Sequence, residues 1–570
     1  MRRTILTLLT ALAPTVAGAQ QGPPSDRLRL PSDVRREVAS RWNGANAIRS
    51  SERLEIKAGE EIRGDVAVQQ APLTIAGHVM GNVLAVNTDV LLAPTARIDG
   101  ELLVVGGDVE GRTVARIDGG IRIYRQSLSY TVRDGKLVPD DTTGDNPGWW
   151  QRFERGRESN LSEAVRVVQA GAYNRVEGLP ISLGPSLRRT ADWGEIQFDP
   201  AAILRTGSSF SGSNPDVGYN VSTEIRVGHD NALGFGGRLF SVVDPVEAWQ
   251  MSDVEVALAA FVVRRDYRDY YQRHGGQMYV TLYGSDDFSL TGAFSDERWT
   301  SRVLKNPFTI FNGERPWRPN PSVDEGRFHV GTLSARFDTR TDPQDPWSGW
   351  LLTGQLEHGR GTITSAAPTS GPATQLRNDP TDYTRAFFDL RRYNRLGPNS
   401  QLNMRVVLAG DIAGDQLPLE RRLSVDGPGT LPGFDFRSPR TGVDVGTCNS
   451  GPSAPGRPAE CDRIALAQIE FRGDLNLHFL GDWPDWPRRF HSKHGDMVWV
   501  LFADAGRGWK SGQTDDMVTY DRGIVPPLST FRTDIGVGLD FGGVVGVYAA
   551  KSTSTPAEPV NFFVRLRHRF

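Results

Sequence analysis

Several stretches of the chain alternate apolar and polar side chains with a period of two. Thr223, Ile225 and Val227 oppose Glu224 and Arg226, and Leu333, Ala335 and Phe337 oppose Ser334, Arg336 and Asp338. Leu402, Met404, Val406 and Leu408 oppose Asn403 and Arg405, and Ala467, Ile469 and Phe471 oppose Gln468, Glu470 and Arg472. The last segment sets Phe562, Val564, Leu566, His568 and Phe570 against Phe563, Arg565, Arg567 and Arg569. Successive side chains of a strand point to opposite faces, so each stretch predicts a strand with one greasy and one ionic face. A soluble sandwich also alternates, but its buried face avoids repeated charge. Here the charged face persists, which suits a wet lumen with lipid outside. The expected fold class is all-β: a C-terminal transmembrane antiparallel β-barrel of about sixteen strands over 174–570, with fourteen as the alternative. The early strands are expected near 180, 202, 222, 238, 258, 280 and 293, with the eighth near 333. Long polar connections at Gly361–Pro380 and Asp411–Arg463 alternate with short ones at Thr339–Ser348 and Arg395–Ser400, as barrel loops and turns do.

Residues 51–125 follow another period. The unit aliphatic-x-Gly-x-aliphatic recurs around Gly64, Gly81, Gly100 and Gly119, at intervals of 17, 19 and 19. That spacing predicts coils of a three-faced β-helix, with a small antiparallel sheet as the alternative. It resembles bactofilin-like, polymer-forming β-helices. Exposed end strands of such a stack could pair with another chain or with a second copy. Around this domain the sequence predicts a flexible leader over 20–50, with one short helix near Ser32–Trp42. A linker follows over 126–173, with a short helix at Ser162–Ala170.

Composition adds the compartment. Met-Arg-Arg, an apolar run from Ile5 to Val16 and Ala17-Gly18-Ala19 predict a signal peptide over 1–19 and export. No later run of apolar residues is long enough for a membrane helix. The 38% hydrophobic fraction is compatible with barrel strands, since only alternate residues meet lipid. A net charge of -3 gives a nucleic-acid partner no electrostatic support. Cys448 and Cys461, in a Gly/Pro/Ser-rich loop, predict a disulfide contributing on the order of 3 kcal/mol, with two free thiols as the alternative.

Four segments carry a family likeness: Tyr173-Asn-Arg-Val-Glu-Gly-Leu179, Phe337-Asp-Thr-Arg340 with Pro346-Trp-Ser-Gly-Trp350, Leu431-Pro-Gly-Phe-Asp-Phe-Arg437, and Phe502-Ala-Asp-Ala-Gly506. With an aromatic end at Phe570, residues 174–570 resemble the superfamily of outer-membrane protein-assembly factors, two-partner-secretion transporters and bacterial surface antigens. The likeness implies that Phe562, Val564, Leu566 and Phe570 form a C-terminal signal read by the barrel-assembly machinery. It also implies that the long loop before strand twelve folds into the lumen. There Gly433 and Phe434 would meet Phe502, Asp504 and Gly506. Pro432 stands where the family has arginine, so Arg437 is expected to supply the guanidinium for Asp504; pairing of Asp504 with another lumen arginine is the alternative. The family's POTRA domains are replaced by the glycine-punctuated repeat, so assembly or secretion activity is not simply inherited.

No enzyme is expected, and no cofactor or metal. His491-Ser-Lys-His494 lacks zinc-site spacing, and Asp266-Tyr-Arg-Asp-Tyr-Tyr-Gln-Arg273 reads as an aromatic girdle and loop clasp rather than a catalytic cluster. Trp483 and Trp486 fall where a girdle could lie, although turn packing serves equally. The expected role is polypeptide or lipid handling at the outer membrane, with outer-membrane lipid as a partner and the β-helix as a periplasmic docking module. A small-solute pore and a structural tether through β-helix self-association are the alternatives.

Overall fold

The computed structural model describes residues 32–570, apart from short breaks and the longer segments 140–160, 208–215, 367–374, 438–447, 449–458, 476–496 and 512–518. The expected signal peptide, Trp483, Trp486, His491 and His494 lie outside the described residues.

The first unit is a β-solenoid of parallel sheets. One face stacks Ala47–Ser50, Asp65–Gln69, Val83–Val86, Leu102–Val105 and Ile121–Tyr124. The other two faces stack four strands each, beginning at Leu54–Ile56 and Glu61–Ile62. Aliphatics from all three faces fill the centre, among them Ile56, Val66, Leu73, Ile75, Val79, Val83, Ile98 and Leu102. The repeated glycines form a column. A Cβ on Gly81 would lie 2.4 Å from the Gly64 carbonyl oxygen, and one on Gly100 would lie 2.6 Å from that of Gly81. Coil-on-coil contact, rather than only a corner turn, is therefore what requires glycine here.

The helix Ser32–Asn43 lies along the outside of the five-stranded face, with Val34, Val38 and Trp42 at four-residue spacing packed on Ala67, Leu84 and Leu103. Arg122 and Arg41 both hold Glu37 and Glu101, with Arg41 to Glu37 at 2.6 Å and Arg122 to Glu37 at 2.5 Å. The hairpin Tyr130–Arg133/Lys136–Pro139 joins the same unit, and Asn43 bonds the Leu137 main chain both ways at 2.9 Å. The stretch read as linker thus begins as part of the solenoid.

The second unit is one antiparallel sheet. It comprises nineteen strand segments. Leu161–Ala164 and Val168–Ala170 lie along adjoining parts of one pairing partner and form a single interrupted strand. Pro180–Leu183 and Ser186–Ala191 both pair with Gly194–Arg205 and form a second interrupted strand. The two-residue segment Thr519–Tyr520 is a side branch paired in parallel to strand end Lys510–Ser511. Merging the two breaks and setting the branch aside leaves sixteen strands among the described residues.

That number agrees with the sequence expectation through two errors that cancel. The strand expected near 258 is a helix, Asp253–Val263, and the helix expected at Ser162–Ala170 is the first barrel strand. The barrel therefore starts before residue 174. Asp253–Val263 is apolar on all sides, which hides its period, but its capping box was legible: Ser252 Oγ accepts from the Glu255 N–H while Glu255 reaches back to the Ser252 N–H.

The sheet is inside-out relative to a water-soluble protein. Ile225, Leu333, Val406, Leu408, Ile469, Val537 and Val564 are exposed, while the intervening Glu224, Arg405, Glu470 and Arg472 are buried. Phe562 is 76% exposed, whereas its neighbour Phe563 stacks on Tyr548 at 5.2 Å and touches Phe502. The sheet curls, since one loop touches widely separated strands on their charged sides. Arg421, in the loop after Ser400–Gly414, reaches Tyr271 and Glu357, while Gly433 in the same loop reaches Asp534. Tyr393 Oη donates to the Phe570 carbonyl oxygen at 3.0 Å across 177 residues. Among the described residues, no ladder joins the first strand to the sixteenth.

Candidate functional site in the barrel lumen

The thirteenth strand, Met497–Ser511, turns Val498, Val500, Phe502, Asp504 and Gly506 inward. Strand fourteen, Arg532–Phe541, adds Arg532, Asp534 and Asp540, and strand twelve, Arg463–Asp474, adds Gln468, Glu470 and Arg472. Charges buried in this way need partners, and the long loop supplies many of them.

The loop enters with Leu423, Val425, Leu431 and Phe434 packed against Val407, Ile464 and Leu466. The Gly433 N–H donates to Asp534 Oδ2 at 2.6 Å. A Cβ at Gly433 would fall 2.6 Å from the Asp534 Cβ and 2.8 Å from the Ser552 nitrogen, so only glycine brings the backbone this close. Phe434 is buried, with the Arg532 guanidinium 4.6 Å from its ring centre. Gln468 Nε2 donates to the Thr430 carbonyl at 2.9 Å, and Asn561 and Arg565 bond the Pro432 and Pro428 carbonyls at 3.2 and 3.1 Å. Val425 occupies the space above Gly506, where a Cβ would meet it at 2.7 Å. Gly433, Phe434 and Gly506 are thus joined by one loop insertion.

The expected Arg437–Asp504 pair does not form. Asp504 accepts from Arg569, whose guanidinium also lies 3.7 Å from the Phe502 ring centre. Arg437 instead pairs with Glu247 at 3.2 Å and with Asp269. Its backbone has φ +53°, and its N–H donates to Asp426 at 2.9 Å. The turn after Phe436 directs Arg437 toward the opposite wall, while the last residues fold inward and fill the Asp504 position. For the same reason Phe570 is not on the lipid-facing side with Phe562 and Val564: strand sixteen ends at Leu566, and Phe570 is buried.

A second layer was only partly legible in the sequence, through the segment Asp266–Arg273. Arg175 is fully buried, pairing with Asp266 at 3.2 Å and Asp269 at 2.8 Å. Burial pushes the Asp269 carboxyl up, but Arg318, Arg437 and Arg175 together hold it well below the usual range. Asp266, Arg268, Tyr270 and Tyr271 are all buried, so the segment expected as girdle and clasp is an interior clasp alone. Arg421 lies 4.3 Å from the Trp299 ring centre, donates to Tyr271 Oη at 2.6 Å and holds Glu357 at 2.7 Å. Glu255 completes the lining through Arg565 at 2.5 Å. Asp534 carried a signal in its inward position on an alternating strand. Asp269 lay in the segment read as a loop clasp, whereas Glu247 carried no signal, because it sits in a loop without a pattern.

Cys448 and Cys461 form a disulfide with a Cα–Cα distance of 5.2 Å, both buried in the loop's apolar cluster. Cys461 also bridges Leu423 through main-chain bonds of 2.9 and 3.0 Å, tying the loop's descending and returning arms. Among the described residues, no group of His, Cys, Asp and Glu has metal-site geometry.

No protein-family model matches the chain, and no curated protein sequence matches it. Solved structures resemble it. BamA from Haemophilus ducreyi lacking POTRA domains 1-3 aligns at 13% identity over 73% of this chain and 77% of that one, with a TM-score of 0.39. CdiB from Acinetobacter baumannii aligns at 11% identity over 72% and 60%, with a TM-score of 0.31. CdiB from Escherichia coli aligns at 12% identity over 78% and 67%, with a TM-score of 0.29.

Proposed function

We propose that the chain is an outer-membrane β-barrel of the assembly or secretion type. Its lumen is a loop-plugged conduit for polypeptide or lipid, and its solenoid is a docking module in the periplasm. The supporting observation is the loop insertion: Gly433 on Asp534, Phe434 under Arg532 and Arg437 between Glu247 and Asp269. Ordering a long loop costs conformational entropy, and several charge-assisted contacts offset it. The inserted loop occupies lumen that a wide passive pore would leave open. Sixteen is an even number, so both ends of the barrel share a rim, which in this reading places the solenoid beside the short turns. The chemistry is binding and gating rather than catalysis.

Planar-bilayer recordings test the reading. The full chain is expected to conduct poorly, and deletion of residues 430–437 to raise conductance severalfold. High conductance that the deletion leaves unchanged means an open pore. A photoreactive residue in place of Phe434 is then expected to capture polypeptide or lipid in cells. Capture of neither removes the conduit role.

A further inference from the structure

The outward surface of barrel strands six to nine (Tyr270–Gly284, Phe288–Ser301, Glu325–Asp338 and Gly349–Ala366) changes character along the strands. Toward the short turns it is apolar. Met278, Phe294, Leu333 and Leu356 wall a trough of about 730 Å³ floored by Gly292 and Gly331. Neither glycine is demanded by the fold. A Cβ on Gly292 would meet nothing within 4 Å, one on Gly331 only a carbonyl oxygen at 3.9 Å, and neither has a positive φ. The trough exists because side chains are missing, and no packing contact explains their absence.

Immediately beyond the trough the same surface is charged. Gly331 faces Phe294 and His358 in the ladders; two residues further, His329 faces Asp296 and Arg360, and beyond those Arg327 faces Arg298. At about 3.4 Å per residue, the first charged row lies roughly 7 Å from the trough floor. Arg327 pairs with Asp296 at 2.5 Å, and His329 stacks on Phe294 at 6.1 Å. Among the described residues, neither Arg298 nor Arg360 has a carboxylate within salt-bridge distance. Two guanidinium groups without a salt bridge, Arg360 standing opposite Asp382 in the next ladder, therefore border an acyl-sized apolar trough. Planar N–H donors of this kind favour phosphate oxygens.

We propose that this face holds a phosphorylated, acylated lipid, with an acyl chain over Gly292 and Gly331 and a phosphate between Arg298, Arg327 and Arg360. The inference rests on the membrane-barrel reading above and adds to it a specific lipid site.

The test is native mass spectrometry of the full chain in neutral detergent, with diphosphorylated lipid A, the same lipid stripped of phosphate, and excess inorganic phosphate as competitor. The phosphorylated lipid is expected to be retained, the stripped lipid to be lost, and inorganic phosphate not to displace the complex. Arg298→Ser with Arg360→Ser is expected to weaken retention at least about tenfold, since two charge-assisted contacts are removed. Gly292→Leu fills the trough without touching a charge and is expected to weaken it similarly. Equal retention of both lipids, displacement by inorganic phosphate, or wild-type binding by either variant overturns the site. Heat-dependent gel mobility is recorded for each sample. A wild type without the compact unheated band defeats the barrel reading and this site together, whereas a folded barrel indifferent to phosphate defeats the site alone.

Discussion

Gly433 and Asp534 meet with no space for a methyl group, and two consequences follow at the scale of single residues. Gly433→Ala places a Cβ 2.6 Å from the Asp534 Cβ, against backbone on the other side. Overpacking of this kind costs about 1–3 kcal/mol, and it falls on loop docking rather than on the strand ladders. Limited proteolysis is expected to cut between 415 and 462 faster in this variant, while the compact unheated band persists. Asp504 and Arg569 are a buried ion pair, and removal of one partner strands the other at a cost of about 3–5 kcal/mol. Asp504→Asn and Arg569→Gln should each lower the temperature at which the compact band is lost. The double variant should cost less than the sum, because it strands no charge. Additive losses would mean that Arg569 is not the partner in solution. The inward position of Asp504 was readable from its alternating strand, whereas its partner was not. Three arginines alternate in the last segment, and only the inward fold after Leu566 selects Arg569.

At the scale of elements, the solenoid depends on its glycine column and the barrel on its two-sided strands. Gly81→Val would press a branched side chain into the Gly64 carbonyl, 2.4 Å from the ideal Cβ position. It is expected to separate two coils and lower the solenoid's unfolding midpoint while leaving heat-dependent mobility of the barrel intact. An unchanged solenoid midpoint would show that stacking tolerates a side chain there. The helix Asp253–Val263 marks the limit of pattern reading. Beyond its first turn it is apolar on every side, and Glu255, Val256 and Ala260 are buried, so it lacks the amphipathic stripe that identifies a surface helix. Conversely, Leu161–Ala164 and Val168–Ala170 are too short to show alternation alone, and they become one strand only by lying along Pro180–Ala191.

Across the whole molecule, Glu101 in the solenoid and the pair Glu420 and Asp426 in the barrel loop are shifted in opposite directions. In the solenoid, the Arg122 hydrogen bond and then Arg41 hold the Glu101 carboxyl at about 2, below its ordinary 4.5. A lowered carboxylate contributes stability above about 4.5 that is lost as pH falls toward 2. In the barrel loop, burial and then the neighbouring Asp324 carboxylate push Glu420 up to about 8, and burial lifts Asp426 to about 6. Raised carboxyls favour the docked loop when protonated, so this contribution is full below their ordinary values of 3.8 and 4.5 and is lost as pH rises to about 6 for Asp426 and about 8 for Glu420. Hydrogen-exchange protection, taken relative to the intrinsic rate at each pH, is expected to fall in the helix Ser32–Asn43 toward acid and in 419–437 toward alkali. Loss of protection in both regions at the same end of the range would contradict these assignments.

The sequence alone determined which side chains share a face along the strands it identified, because the period of a strand is a local property of the backbone; it did not see that the chain leaves the strand after Leu566 and buries Phe570. It also determined the coil length of the solenoid, since each glycine answers to another one coil away. The meeting of the loop with the wall was decided in three dimensions. Arg437 went to Glu247 and Asp269, Arg569 took Asp504, and Asp534 received Gly433, because ion pairs in a closed lumen follow distance across the tube rather than order along the chain.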